Sequence, residues 1–145
     1  MSNYRRPESV LVVLYTEAGD VLVLKRSQPF EFWQSVTGSL RADETHADAA
    51  TRELEEETGL TDEGTLTWTG TSRQFAIDRR WRDRFPPGIV ENIEYEYRYC
   101  LPDRITVELS HDEHSESEWL PIDAAVDRVW SWTNKAAIQQ LKVSP

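Results

Sequence analysis

The segment Arg52-Glu53-Leu54-Glu55-Glu56-Glu57 constrains this chain more than any other, because a helix through it puts like charges on one face. Glu53 and Glu57 stand at i and i+4 and Glu56 follows Glu53 by three, so three carboxylates crowd one stripe. Each like-charged pair costs an isolated helix roughly 0.2–0.5 kcal/mol. The flanks nonetheless specify a helix from Thr45 to Thr58. Thr45 with Asp48 resembles a capping box, Ala47, Ala50 and Leu54 recur near helical spacing, and Gly59 stands where a left-handed terminal residue belongs. Two outcomes fit: a solvated acidic surface, or a hard divalent cation whose oxygen ligands turn repulsion into attraction. Leu54 is expected to face the core. Arg52 is expected to pair with Glu44 or with a ligating glutamate.

Elsewhere the chain reads as strands with fewer helices. Val10 to Tyr15 and Val21 to Leu24 are valine- and leucine-rich runs joined by Glu17-Ala18-Gly19-Asp20, a strand, a turn and a strand. Phe32 to Thr37 predicts one further short strand before Gly38, and Leu66 to Ile77 another. Ile93, Tyr95, Tyr97, Tyr99 and Leu101 alternate with Glu94, Glu96, Arg98 and Cys100, the pattern of a half-exposed strand. Glu118 to Leu120 predicts a short strand. Ile122 to Val129 and Thr133 to Leu141 predict two helices, the second capped by Thr133. Hairpins with separate helices imply an α/β protein, a mixed sheet with helices on its faces.

Composition narrows the partners. At 145 residues, without repeats or linkers, the expectation is one domain spanning 1–145. No stretch approaches the roughly 18 apolar residues of a membrane span. A formal net charge of −10 argues against nonspecific nucleic-acid binding. The basic run Arg79-Arg80-Trp81-Arg82-Asp83-Arg84-Phe85 is therefore read as a loop that steers anions rather than as an RNA site. The single cysteine, Cys100, excludes an intrachain disulfide and fits a reducing compartment. The basic N-terminus is followed by no cleavage site, so the expected location is the cytoplasm.

Gly38, Glu44, Arg52, Glu53, Leu54, Glu56, Glu57, Gly59 and Leu60 fall at the spacing of the Nudix signature, and on these residues the chain resembles the Nudix hydrolases. The resemblance implies an α/β/α sandwich with a mixed sheet and Mg²⁺-dependent pyrophosphohydrolysis, with Mn²⁺ as a substitute. It implies Glu53 and Glu57 as metal ligands, Glu56 as a third or as one acting through water, and the Gly38 carbonyl as a further oxygen. Glu53 and Glu56 are the catalytic candidates inside the motif. Members often take a base from a loop beyond it. Ser110 to Glu116 offers Asp112, Glu113 and Glu116, of which Glu113 is favoured as base or additional ligand. His111 and His114 offer themselves as ligands or base, but with oxygen-preferring Mg²⁺ they are expected to face solvent.

The flanks are similar to the folate-pathway branch of that family, which releases diphosphate from 7,8-dihydroneopterin triphosphate. The similarity rests on Arg5-Arg6-Pro7, Phe32 to Ser39, Pro87-Gly88, Glu113-His114 and Trp130 to Ile138. A pterin is a flat bicycle with hydrogen-bonding edges and needs an apolar wall with a few polar groups. Phe75 and Ile77 are the candidates for the wall, with Asp78 to accept from the pterin N–H edge. Arg5 and Arg26 are the candidates for the phosphates, with hydroxyls from Thr37 and Ser131. Trp33, Trp68 and Trp119 are assigned to the core or an interface and left out of the site. The expected partner is a small-molecule triphosphate, with no nucleic acid and no membrane, and the expected state a monomer or weak homodimer. The rival readings are a hydrolase of dNTPs or oxidised nucleotides and a non-catalytic ligand-binding module of the same fold.

Overall fold

Val10 to Leu14 carry no polar alternation because the strand containing them is covered on both faces. The computed structural model describes residues 4–110 and 113–143. In it β1 (Glu8–Thr16) sends Val10, Val12 and Leu14 toward one helix, α1 (His46–Thr58), where they meet Ala49, Ala50 and Leu54. Leu11 and Val13 point the opposite way, into a second core with α2 (Ile122–Arg128) and α3 (Trp132–Gln139) through Ala125, Ala137 and Ile138. A strand's period of two thus divides one apolar run between two cores, and the result is an α/β/α sandwich.

The mixed sheet contains β2 (Asp20–Arg26), β3 (Phe32–Gln34), β4 (Val36–Ser39), β5 (Thr65–Ala76), β6 (Glu91–Leu101) and β7 (His114–Pro121). Its main path runs β3-β2-β1-β6-β5. Only the β1–β6 pairing among these is parallel, in register from Glu8↔Ile93 to Thr16↔Leu101. One edge of β1 is shared: β4 pairs along Ser9 to Val12, while β2 joins only at Tyr15↔Val21. β2 is held on its other side by β7.

Local chemistry accounts for the helix that carries the glutamates. The Thr45 side chain accepts from the Asp48 N–H at 3.1 Å, and Gly59 closes the helix at φ 77°. At the other helix the predicted cap is corrected. Ser131, in extended conformation, accepts from the Asn134 N–H, whereas Thr133 lies inside the first turn and is buried.

Three strand expectations also change. Phe32 to Thr37 is two strands, because Ser35 leaves the ladder: its N–H donates to Asn134 Oδ1 at 2.8 Å, and its hydroxyl accepts from Asn134 Nδ2 at 2.9 Å. The strand expected at Glu118 to Leu120 extends over His114–Pro121, since β2 supplies a partner along that length. The largest correction concerns β6, which is not half-exposed. Glu94 and Glu96 are only 7 % and 2 % exposed, so the charged positions line a buried face rather than solvent. Glu96 is neutralised there by Arg73 of β5. No helix among the described residues is long and apolar enough to cross a membrane.

Candidate active site

Arg52 organises the acidic face of α1. Its guanidinium meets Glu44 with two parallel contacts, Nε to Oε2 at 2.9 Å and Nη2 to Oε1 at 2.8 Å. Nη2 also donates to the Ser39 carbonyl at 3.1 Å, while Nη1 reaches Glu53 and Glu56. Both expected partners of Arg52 are therefore engaged at once. The bidentate fork holds the Glu44 carboxyl down at about 2. Because Arg52 binds the carbonyl next to Gly38, it ties β4 to the helix.

Gly38 gives Glu53 its room. A Cβ at that position would overlap the Glu53 carboxylate and push it from its place beside Arg52. One turn further along α1, Glu57 is fully buried, and neither of its carboxylate oxygens has a hydrogen-bond partner. Burial raises its pKa well above the ordinary carboxylate range, and neighbouring Glu53 and Glu113 push the same way. Glu57, Glu113 and His114 bring ligand atoms within 4.8 Å of one another. A buried, unpaired carboxylate costs several kcal/mol unless a cation or donor completes it. The orphaned Glu57 oxygens and the open cradle over Gly38 thus fit a hard divalent cation.

A bulge at Lys25/Arg26 lets β2 bring Arg26 opposite His114 at the start of β7. Arg5, Arg26 and Arg84 are close enough that each of the first two is lowered by a neighbouring arginine, after the larger effect of burial for Arg5 and Arg26 alike. Cations gathered this closely favour an anion between them. Glu113 is raised by partial burial and then by Glu53, with Arg26 opposing.

Two cavities meet here. The smaller, about 200 Å³, is bounded by Arg5, Arg26, Arg41, Arg52, Glu53 and Glu113. The larger, about 460 Å³, lies between the β6 face and the N-terminus of α3. Arg5, Arg26, Thr37, Gly38 and Ser39 line both. At the mouth of the larger one, Phe30, Phe32, Trp81 and Trp130 form an aromatic cluster with centroids 4.9–6.0 Å apart.

Residues 5–141 match the NUDIX domain family. The chain belongs to the Nudix family. It is 36 % identical over 145 residues to the dihydroneopterin triphosphate diphosphatase of Escherichia coli K12, covering 97 % of this chain and 95 % of that one. The enzyme of the same name from Haemophilus influenzae is 34 % identical over 144 residues, covering 97 % and 90 %. The solved structure of the E. coli dihydroneopterin triphosphate pyrophosphohydrolase matches with a TM-score of 0.91 at 35 % identity, covering 99 % of this chain and 100 % of that one. As a Nudix hydrolase the chain is an enzyme, and the carboxylates around Glu57 suit the divalent cation that such hydrolases use.

On this Nudix scaffold the motif residues Gly38, Glu53 and Glu57 converge, with Glu56 at the exposed rim and Glu113 opposite. Arg5, Arg26, Thr37, Phe75, Ile77, Asp78 and Ser131 all line the larger cavity, but three expectations about the site are corrected. Asp78 is already occupied: Arg80 takes both its oxygens at 2.8 and 2.9 Å, and the Arg80 N–H adds a third contact. The Thr37 hydroxyl donates to the Val10 carbonyl, so it has no proton left for a phosphate. Ser131 lines the larger cavity with Arg5 and Arg26 and accepts from the Asn134 N–H at the start of α3. His114 does not face solvent but is 1 % exposed, and burial drives its pKa down to about 4, so it is neutral near pH 7.

His111 and Asp112 lie outside the described residues. Trp68 and Trp119 line neither cavity, and Trp68 is 40 % exposed rather than part of the core. Trp33, however, lines the larger cavity together with Trp81, Trp130 and Trp132. Four polar residues of that cavity were not singled out as site residues: Gln34, Asn92, Glu94 and Asn134. Gln34 and Asn134 lie in segments that carry the family resemblance, and Glu94 belongs to the alternation in β6. The basic run at 79–85 is partly absorbed by structure, since Arg80 stacks 4.0 Å over Phe30 and Trp81 joins the aromatic cluster.

Proposed function

We propose that this Nudix hydrolase cleaves 7,8-dihydroneopterin triphosphate with water, leaving the monophosphate and releasing diphosphate, as a step of folate biosynthesis. The observation that carries this reading is the continuity of the two cavities through Arg5, Arg26 and Gly38. A flat base fits the aromatic-walled cavity while its phosphates reach the arginines and the glutamates. The names of the relatives, matched over nearly the whole chain, support the same substrate.

Mg²⁺, held by Glu53, Glu57 and the Gly38 carbonyl with Glu56 and Glu113 nearby, would neutralise phosphate oxygens and the charge growing on the leaving diphosphate. The chain's own groups do the rest. Arg5 and Arg26 hold the phosphates in line. Glu113, raised from its ordinary range, takes the proton of the attacking water as its oxygen bonds to phosphorus and the bond to diphosphate breaks. His114, neutral and buried beside Glu57, fixes the start of β7 through its contact with Gln34. In this reading the chain acts as one domain, a monomer or weak homodimer of the cytoplasm, without nucleic acid or membrane.

With Mg²⁺ present, kcat/KM on dihydroneopterin triphosphate should exceed that on dATP and 8-oxo-dGTP, with diphosphate as the released product. A higher value on either nucleotide would replace the pterin reading with a nucleotide-pool activity. Glu113→Ala should lower kcat by about 10²–10⁴-fold and move the acid limb of the pH–rate profile. Unchanged turnover from pH 6 to 9 would remove Glu113 from the reaction.

A further inference from the structure

The larger cavity holds an unfilled demand for hydrogen-bond donors on its β6 wall. Asn92 and Glu94 stand two residues apart on β6 and so share one face. Asn92 is 2 % exposed, and its Nδ2 donates to Ser9 Oγ at 2.8 Å and to the Ile93 carbonyl at 3.2 Å. A carbonyl can only accept, so Nδ2 is the atom turned to Ser9 and Ile93, and Oδ1, itself buried, has no partner. Glu94 receives a hydrogen bond from the Thr133 hydroxyl, but its Oε1 is buried and also without a partner. Two orphaned acceptors on one cavity wall are costly in the empty protein and call for a ligand with adjacent donors.

Taking this cavity as the base site, as the proposed function does, we infer that Glu94, assisted by Asn92, is the specificity-determining residue that reads the donor edge of a 2-amino-4-oxopyrimidine ring. That edge offers a ring N–H beside an exocyclic NH₂, which a carboxylate accepts in parallel while the amide oxygen takes the second amino proton. Pterins and guanines share it. Adenine and cytosine present an acceptor nitrogen beside their amino group, and the acceptor would face the carboxylate and be rejected. Burial drives the Glu94 carboxyl up to about 7 in the absence of such donors. Arg73 draws it down and Glu96 pushes it up, each by less than burial does. Asp78 is less suited to this purpose, because Arg80 binds both its oxygens.

Glu94→Gln tests this with an isosteric change, since glutamine exchanges one acceptor for a donor and so matches the adenine edge instead. Binding of dihydroneopterin triphosphate, dGTP and dATP to wild type and variant would be followed in EDTA, without turnover, by fluorescence of the cavity tryptophans. The variant should weaken the pterin and dGTP by about 10–100-fold and leave dATP unchanged or tighter. A dGTP-to-dATP affinity ratio within about threefold of wild type would overturn the assignment, because a purely structural role moves all three ligands together. The outcome is separable from that of the proposed function. Wild-type turnover can reject the pterin as substrate while the dGTP-to-dATP ratio still reads Glu94, and a preserved pterin preference in Glu94→Gln rejects Glu94 alone.

Discussion

Glu57→Gln should lower kcat by about 10³-fold, equivalent to about 4 kcal/mol of transition-state stabilisation, while leaving the fold intact. The magnitude follows from where the carboxylate sits. Glu57 is fully buried beside His114 and its oxygens make no close hydrogen bond, so in the proposed reading the cation completes its coordination. Removing that charge relieves a desolvation cost, and the metal-free variant should be at least as stable as wild type. The two proteins part when Mg²⁺ is added. Wild type at about 100 times its Kd gains about 2.7 kcal/mol, or roughly 5–10 °C in Tm, and the variant should gain almost nothing. An equal Mg²⁺-induced shift in both proteins, with near-normal turnover, would take Glu57 out of the metal site.

Arg52→Ala should be the most damaging single change to stability, at about 3–4 kcal/mol and roughly 10 °C in Tm. Arg52 and Glu44 side chains are 16 % and 13 % exposed, and deleting one leaves the other charged and largely cut off from water. The Ser39 carbonyl also loses its donor, which frees the strand carrying Gly38, so activity should fall too. Lysine at this position keeps the charge but not the fork and should recover only part of the loss. The effect has a defined pH dependence. The Glu44 carboxyl is depressed to about 2 in the folded state, so its stabilisation is fully present above its unfolded pKa, near 4.5, and fades as pH falls toward 2. Urea unfolding should therefore separate Arg52→Ala from wild type widely at pH 7 and much less at pH 3. An identical difference at both values would show that the ion pair is not the source.

Both variants act on residues whose spacing alone made them conspicuous. The helix of residues 46–58, its Thr45 cap and its Gly59 terminus depend on contacts within four residues, which is the range a sequence displays directly. The division of Val10 to Leu14 between two cores is likewise written in the lack of alternation. Beyond that range the signs became ambiguous. In β6 the alternation of tyrosine with glutamate reads as one wet face, yet a charged residue in that pattern is buried if another element covers it. Here α3 and β5 do so, through Thr133 and Arg73. His114 illustrates the same limit: a histidine in a polar stretch is buried because β7 pairs with β2 at that position, opposite Arg26.

Residues 38–60 by themselves determined a helix with three carboxylates on one stripe, because that relation is covalent spacing turned through a fixed helical angle. Tertiary structure alone decided which carboxylates are unpaired. Glu57 was left without a hydrogen bond when β4 and β7 closed over it, and Glu94 was left facing a cavity that no local pattern describes. Burial and hydrogen-bond satisfaction depend on what arrives from elsewhere in the chain, and for a buried acid they determine whether it supports the fold or waits for a ligand.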